Sequence, residues 1–191
     1  MNLNPQISMF ILPGGKRPQR MSADAIGFDV YTRAIVCPCT MDPERPYMRN
    51  TLFDFKTTPA NRRIASSIFK LSDGNLGYHL RPGEIVNIGL GFVVEMEFPL
   101  MMWIAPRSGL ASRSGITIAN APGTVDPDYR GECCAVLYNA SSVSFPITPS
   151  MRVAQAVFQW VAIPTIHPVT QYADLSNTIR SADGLGSTGL Q

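Results

Sequence analysis

The sequence predicts an all-β fold of the sandwich, jelly-roll or barrel kind, and three observations predict it. Segments with strand character recur at short intervals with turn signals between them. Among 191 residues Gly (15) and Pro (16) are plentiful, while charged residues are only 16%. That is well under the roughly 25% usual in soluble domains and disfavours long exposed helices. Finally, one segment alternates cleanly: Val86, Ile88, Leu90, Phe92 and Val94 make one apolar face, with Asn87, Gly89, Gly91 and Glu95 on the other.

Taken in order, residues 7–12 read as a first strand stopped by Pro13-Gly14-Gly15, and residues 28–36 as a second. Residues 37–78 break the rhythm, being polar, proline-containing and poorly alternating, with room for a short helix at 61–69. Within 41–70 six Lys/Arg stand against three acids, a local charge of +3 in a chain of net +2. The segment reads as an insertion on the sandwich. Residues 84–96 are a half-buried strand or a bent pair, entered through Pro82-Gly83, and 101–105 are another strand. One short helix follows Arg107, capped by Ser108 and closed by Gly115. Strands are predicted at 115–119, 131–139, 143–147 and 153–161, with a hairpin over 120–132 bent at Pro122-Gly123 and Asp126-Pro127. The tail after Asp174 is rich in Ser, Gly and Thr. This gives one β domain over 1–174, with the insertion at about 37–78, and a flexible arm over 175–191.

Composition excludes several function classes. The net charge is too balanced to suggest nucleic-acid binding. No apolar run approaches the roughly 18 residues of a membrane helix, and the N-terminus lacks the marks of a signal peptide, so an intracellular setting is expected. Cys37, Cys39, Cys133 and Cys134 have neither zinc-knuckle nor redox spacing, and no disulfide framework is expected. His79 and His167, both in loop-like settings, are too few for histidine-based catalysis. The chemistry falls to carboxylates, hydroxyls, arginines and backbone.

Three segments carry it. Residues 105–111 (Ala-Pro-Arg-Ser-Gly-Leu-Ala) offer backbone N–H groups, a hydroxyl and Arg107 to an anion, or form a plain capped helix. Residues 120–132 gather Asp126, Asp128, Tyr129 and Glu132 around a rigid turn, either as surface acids or as a fixed base beside a flat stacking surface. Residues 180–189 (Arg-Ser-Ala-Asp-Gly-Leu-Gly-Ser-Thr-Gly) can wrap phosphates, although they lack the lysine of a nucleotide-binding loop.

Together with residues 25–31 (Ala-Ile-Gly-Phe-Asp-Val-Tyr) and 152–155 (Arg-Val-Ala-Gln), these segments resemble the five ordered motifs of trimeric dUTP pyrophosphatases (dUTPases). The resemblance covers nearly the whole chain except about 37–78. It implies a jelly-roll-like β-barrel assembled as a homotrimer whose three active sites are each built from all three subunits, with the C-terminal arm closing over a neighbour's site. It implies hydrolysis of dUTP to dUMP and pyrophosphate by water attacking the α-phosphorus, with Mg²⁺ as cofactor. On matching positions, Asp126 is the water-activating base and Tyr129 the aromatic under the deoxyribose. Asn120 and Gly123 lie on the hairpin that reads the uracil. Arg107, Ser108 and Gly109 bind phosphate, as do Gln155 and the positioning Arg152. Asp29 holds the hydrated metal through water. Arg180, Gly186, Ser187 and Thr188 belong to the phosphate-capturing arm.

Departures from the pattern bear on the arm and on the insertion. Asp29 and Pro106 are 77 positions apart (106 − 29 = 77), longer than the family usually uses. This extra length, familiar in viral and phage members, is either a solvated elaboration or a basic surface for substrate or partner. The nearest rival of the same fold, dCTP deaminase, needs a catalytic glutamate on the strand after the third motif. Val136 holds that place, and no buried acid is expected on this strand. A regulatory or binding protein on the dUTPase fold is the other alternative. In the arm, Leu185 stands where the family carries an aromatic that stacks on uracil, so it covers the base without stacking. Leu185→Phe is therefore expected to lower the Michaelis constant for dUTP and speed arm closure; unchanged values in steady-state and stopped-flow measurements would refute this.

Overall fold

The computed structural model describes residues 4–179 and 181–182. It divides into two units, residues 1–161 and 162–191. The first is built from antiparallel strands. In chain order they are β1 (Ser8–Ile11), β2 (Phe28–Tyr31), β3 (Ala34–Met41), β4 (Arg49–Phe53), β5 (Ile68–Lys70), β6 (Leu76–Leu80) and β7 (Ile85–Gly89). There follow β8 (Phe92–Glu95), β9 (Leu100–Ala105), β10 (Ile116–Ile118), β11 (Gly123–Val125), β12 (Cys134–Asn139), β13 (Phe145–Ile147) and β14 (Arg152–Trp160). Two short helices interrupt them, α1 (Arg62–Ala65) within the 61–69 stretch and α2 (Ser108–Ser114) after Arg107. Among its described residues the second unit carries a 3-10 turn at Tyr172–Asp174, closed by reciprocal Gln171 and Asp174 side-chain bonds.

Two sheets carry the core. One has the order β10-β12-β7-β3-β4 and the other β11-β9-β14-β2; β13-β6-β5 and β1-β8 complete the unit. Apolar side chains from all of them merge into one cluster that includes Val30, Ile88, Leu90, Phe92, Met102, Ile104 and Leu137. The alternation read over 84–96 resolves as a bent pair: β7 and β8 are separated by Leu90 and Gly91, and Gly91 turns with φ 74. A side chain there would also strike the backbone of Gly15, so glycine is required twice over.

Several expectations are corrected. The predicted strand over 28–36 is two strands that join different sheets, parted at Thr32 and Arg33. The segment over 120–132 is no hairpin, because β11 leaves β10 and pairs with β9, Gly123 opposite Ile104. The helix expected over 61–69 stops at Ala65, and Ile68–Lys70 forms β5. His79 lies on strand β6 and stacks on Phe69 at 4.3 Å. Cys133 is buried and Cys134 half-buried, and the four cysteines are free thiols. Residues 37–78 supply strands β4, β5 and most of β6, and Phe53, Phe55, Ile64, Leu76 and Tyr78 from that stretch are buried in the main cluster.

Glu132, read in the sequence as a turn acid, is wholly buried. Its carboxylate takes Nε and Nη2 of Arg33 at 2.6 and 2.8 Å, and the backbone N–H groups of Arg49 and Gly91 at 3.1 Å each. A side chain at Gly89 would collide with it. Breaking such a pair from one side leaves a buried charge uncompensated, at a cost of about 3–5 kcal/mol. Arg33→Met is expected to lower the unfolding free energy by that order, read as a lower urea midpoint at an unchanged slope, and a midpoint equal to the parent's would contradict it.

Candidate active site

The first cleft is assembled on the sheet β11-β9-β14-β2. Its register sets Gln155 of β14 opposite Asp29 of β2 on one side and Ala105 of β9 on the other. Three sequence-distant segments thus become neighbours through strand pairing. Asp29, mostly buried, accepts Arg107 Nε on one oxygen and Arg152 Nη1 on the other, both at 3.1 Å. Arg107 Nη1 donates to the Arg152 carbonyl at 3.1 Å, and Gln155 Nε2 to the Pro106 carbonyl at 3.0 Å. A side chain at Gly27 would overlap Gln155. The resulting cleft of about 470 Å³ is lined by Asp29, Arg107, Ser108, Gly109, Arg152 and Gln155, with Met21 and residues 25–27. Two guanidinium groups against one carboxylate leave it a surplus positive charge. Arg107, not Ser108, occupies the helix cap, with extended backbone and no side-chain capping bond. Ser108 is therefore the first helical residue, and it is exposed.

The second cleft, about 280 Å³, is lined by Asn120, Thr124, Asp126 and Tyr129, by residues 132–134 and Val136, and by Pro38, Arg49, Asn87 and Val125. The turn 126–129 is tight, Tyr129 N–H donating to the Asp126 carbonyl at 3.2 Å. The Tyr129 hydroxyl donates to the Glu132 carbonyl at 3.1 Å, folding the ring over Gly131, where any side chain would strike it. Burial pushes the Tyr129 phenol above its ordinary value, and the Arg49 guanidinium opposes that rise. The phenol therefore stays protonated at neutral pH and keeps its donor. Gly123 is buried on β11, and a side chain there would press on the Asn120 amide.

The expected residues thus fall into two groups. Asp29, Arg107, Ser108, Gly109, Arg152 and Gln155 share one cleft; Asn120, Asp126 and Tyr129 share another, with no lining residue in common. Arg180, Leu185, Gly186, Ser187 and Thr188 lie outside the described residues. Reading by sequence missed Pro38 and Arg49, and it took Glu132 for a turn acid or a base where the structure has a buried ion pair with Arg33. Arg33 and Glu132 had left a signal, each being a charge at the edge of an apolar run; Arg49, counted only within a basic window, left none.

A dUTPase family model matches residues 75–189, and curated relatives agree with it over similar lengths. The chain belongs to the dUTPase family. One relative is the deoxyuridine 5'-triphosphate nucleotidohydrolase of Nautilia profundicola, 46% identical over 110 residues, 58% of this chain and 75% of that protein. The Rhizobium etli protein of the same name is 44% identical over 118 residues, 62% of this chain and 74% of that one. Among solved structures, the Staphylococcus bacteriophage 80alpha dUTPase with dUPNHPP aligns at TM-score 0.67 and 16% identity, covering 97% of this chain and 99% of that one. At that identity the likeness is one of fold, and its coverage reaches well beyond residues 75–189, the part that the family model matches. The deaminase reading finds one buried acid after all, Glu132, but Arg33 and two N–H groups already engage both its oxygens.

Proposed function

We propose that this chain hydrolyses dUTP to dUMP and pyrophosphate, lowering dUTP and supplying dUMP. The observation that carries this reading is the 126–129 turn, which fixes an exposed carboxylate and a flat ring on one cleft wall. Asp126 is the base that draws a proton from the attacking water. Tyr129 lies under the deoxyribose and excludes a 2′-hydroxyl, while Asn120 and the backbone around Gly123 read the uracil edge. A mismatched base would leave a buried donor or acceptor unpaired, at about 1–3 kcal/mol. Arg107, Ser108, Gly109, Arg152 and Gln155 bind the triphosphate, and the surplus positive charge of their cleft suits that task. Ser108 faces the bridging oxygen on which charge develops.

Both clefts must serve one substrate, yet they share no residue on a single chain. A homotrimer, in which one subunit's nucleoside cleft meets another's phosphate cleft, joins them, and the arm of residues 175–191 with Arg180, Leu185, Gly186, Ser187 and Thr188 closes the site. Mg²⁺ fits the residues present. Among the described residues Asp29 is the one carboxylate lining the phosphate cleft, and its oxygens keep spare lone pairs beyond the two arginine bonds, enough for a contact through water. An ion that prefers phosphate oxygens and water needs no more from the protein, and when bound it offsets charge on the triphosphate. The phage phi11 dUTPase, of the same fold at TM-score 0.59 and 14% identity, coordinates a structural Mg(II) ion. Among the described residues no helix is long and apolar enough to cross a membrane.

Pyrophosphate release from dUTP, dCTP, dTTP and UTP, with and without Mg²⁺, tests the proposal. Asp126→Asn is expected to lower kcat for dUTP by about 10²–10⁴-fold, the span of a lost general base. A parental rate in that variant, or ammonia release from dCTP, would overturn the assignment.

A further inference from the structure

Arg49 comes from the stretch that interrupts the strand rhythm, yet its side chain reaches the nucleoside cleft. Its Nη2 donates to the Tyr129 hydroxyl at 3.1 Å and its Nη1 to the Pro38 carbonyl at 2.6 Å, so the guanidinium is anchored on its own hairpin. The backbone N–H of the same residue donates to Glu132 at 3.1 Å. Arg49 is thereby tied to the residue whose carbonyl receives the Tyr129 proton. The phenol oxygen is restrained twice, accepting from a cation on β4 and donating to the Glu132 carbonyl just ahead of β12. The far end of the ring is held by the 126–129 turn.

A ring meant only to fill space needs no such clamp. A ring that must tell hydrogen from hydroxyl at a sugar carbon does, because retreat by about an ångström admits the extra oxygen. We infer that Arg49 is a positioning residue for sugar selection, holding Tyr129 at the height where a ribonucleotide is refused. The inference rests on the proposed dUTP hydrolysis and on the role of Tyr129 in it. It also gives the segment over 37–78 a share in specificity.

The test compares kcat/KM for dUTP and UTP in the intact chain, in Arg49→Met and Arg49→Lys, and in each of these combined with Tyr129→Phe. Substitution keeps the Arg49 backbone bond to Glu132, and the thermal midpoint monitors the fold. Arg49→Met is expected to reduce the dUTP/UTP preference by about tenfold, the worth of one charge-assisted hydrogen bond, and Arg49→Lys to restore part of it. Once the hydroxyl is gone in Tyr129→Phe, Arg49→Met should change the preference by less than about twofold. A merely structural role would depress both nucleotides alike and leave the ratio unmoved; that result, or an equal effect in both backgrounds, overturns the inference while dUTP hydrolysis stands. Absence of dUTP hydrolysis by the unaltered protein overturns the functional reading and the inference with it.

Discussion

A carboxylate with no access to water must have its charge answered by the protein, and at Glu132 that demand organises the surroundings. Arg33 answers with a two-pronged bond, and the N–H groups of Arg49 and Gly91 take further lone pairs. These partners come from the start of β3, the start of β4 and the turn between β7 and β8. Each must be in place for the charge to be tolerable, so one side chain fixes three chain segments against a fourth. Such a pair contributes little net stability over an apolar substitute of the same shape. What it imposes is uniqueness, since any slip in register strands a buried charge. Because Glu132 directly follows the 126–131 segment, that uniqueness passes to the cleft wall bearing Asp126 and Tyr129.

The phosphate cleft solves a different problem. Two arginines close to one another repel, and a site for a polyanion wants both. Asp29 lies between them, one oxygen to each, and its burial strengthens both bonds relative to a solvated pair. It holds the arginines in one geometry while leaving one unit of positive charge over. Pairing of β2, β14 and β9 makes this possible, because strand neighbours set three distant motifs within a few ångströms of one another.

Much of this was legible in the sequence, for reasons that differ by element. Period-two patterning marked β7 and β8 because one face of that ribbon is core and its repeat survives the bend at Gly91. The cleft residues were legible through motif order alone; no periodicity distinguishes Gln155 from any other strand glutamine. The sheet change at β11 was invisible, since a turn-rich link between two apolar strands looks the same whether it doubles back or crosses over. The pairing of Arg33 with Glu132 escaped for a related reason: charges 99 positions apart reveal a partner only once the chain has folded.

The stretch over 37–78 shows where patterning fails as a guide to burial. Its alternation is poor because its strands are short and bulged, with register shifts between β3 and β4, and because Phe55 sits at positive φ in the bend that follows β4. Yet Phe53 and Phe55 pack ring against ring at 4.8 Å inside the main cluster, and Met48 closes a smaller one with Leu12 and Val93. A solvated elaboration would place its aromatic residues outward and would touch the rest of the unit at its two ends. This one instead supplies core volume, a hydroxyl to Arg33 from Thr51, a carbonyl to the Glu132 N–H from Tyr47 and the Arg49 bond to Tyr129. Its structural share and its reach into the cleft have one origin, because the strand that carries Phe53 to the core also carries Arg49 to the cleft.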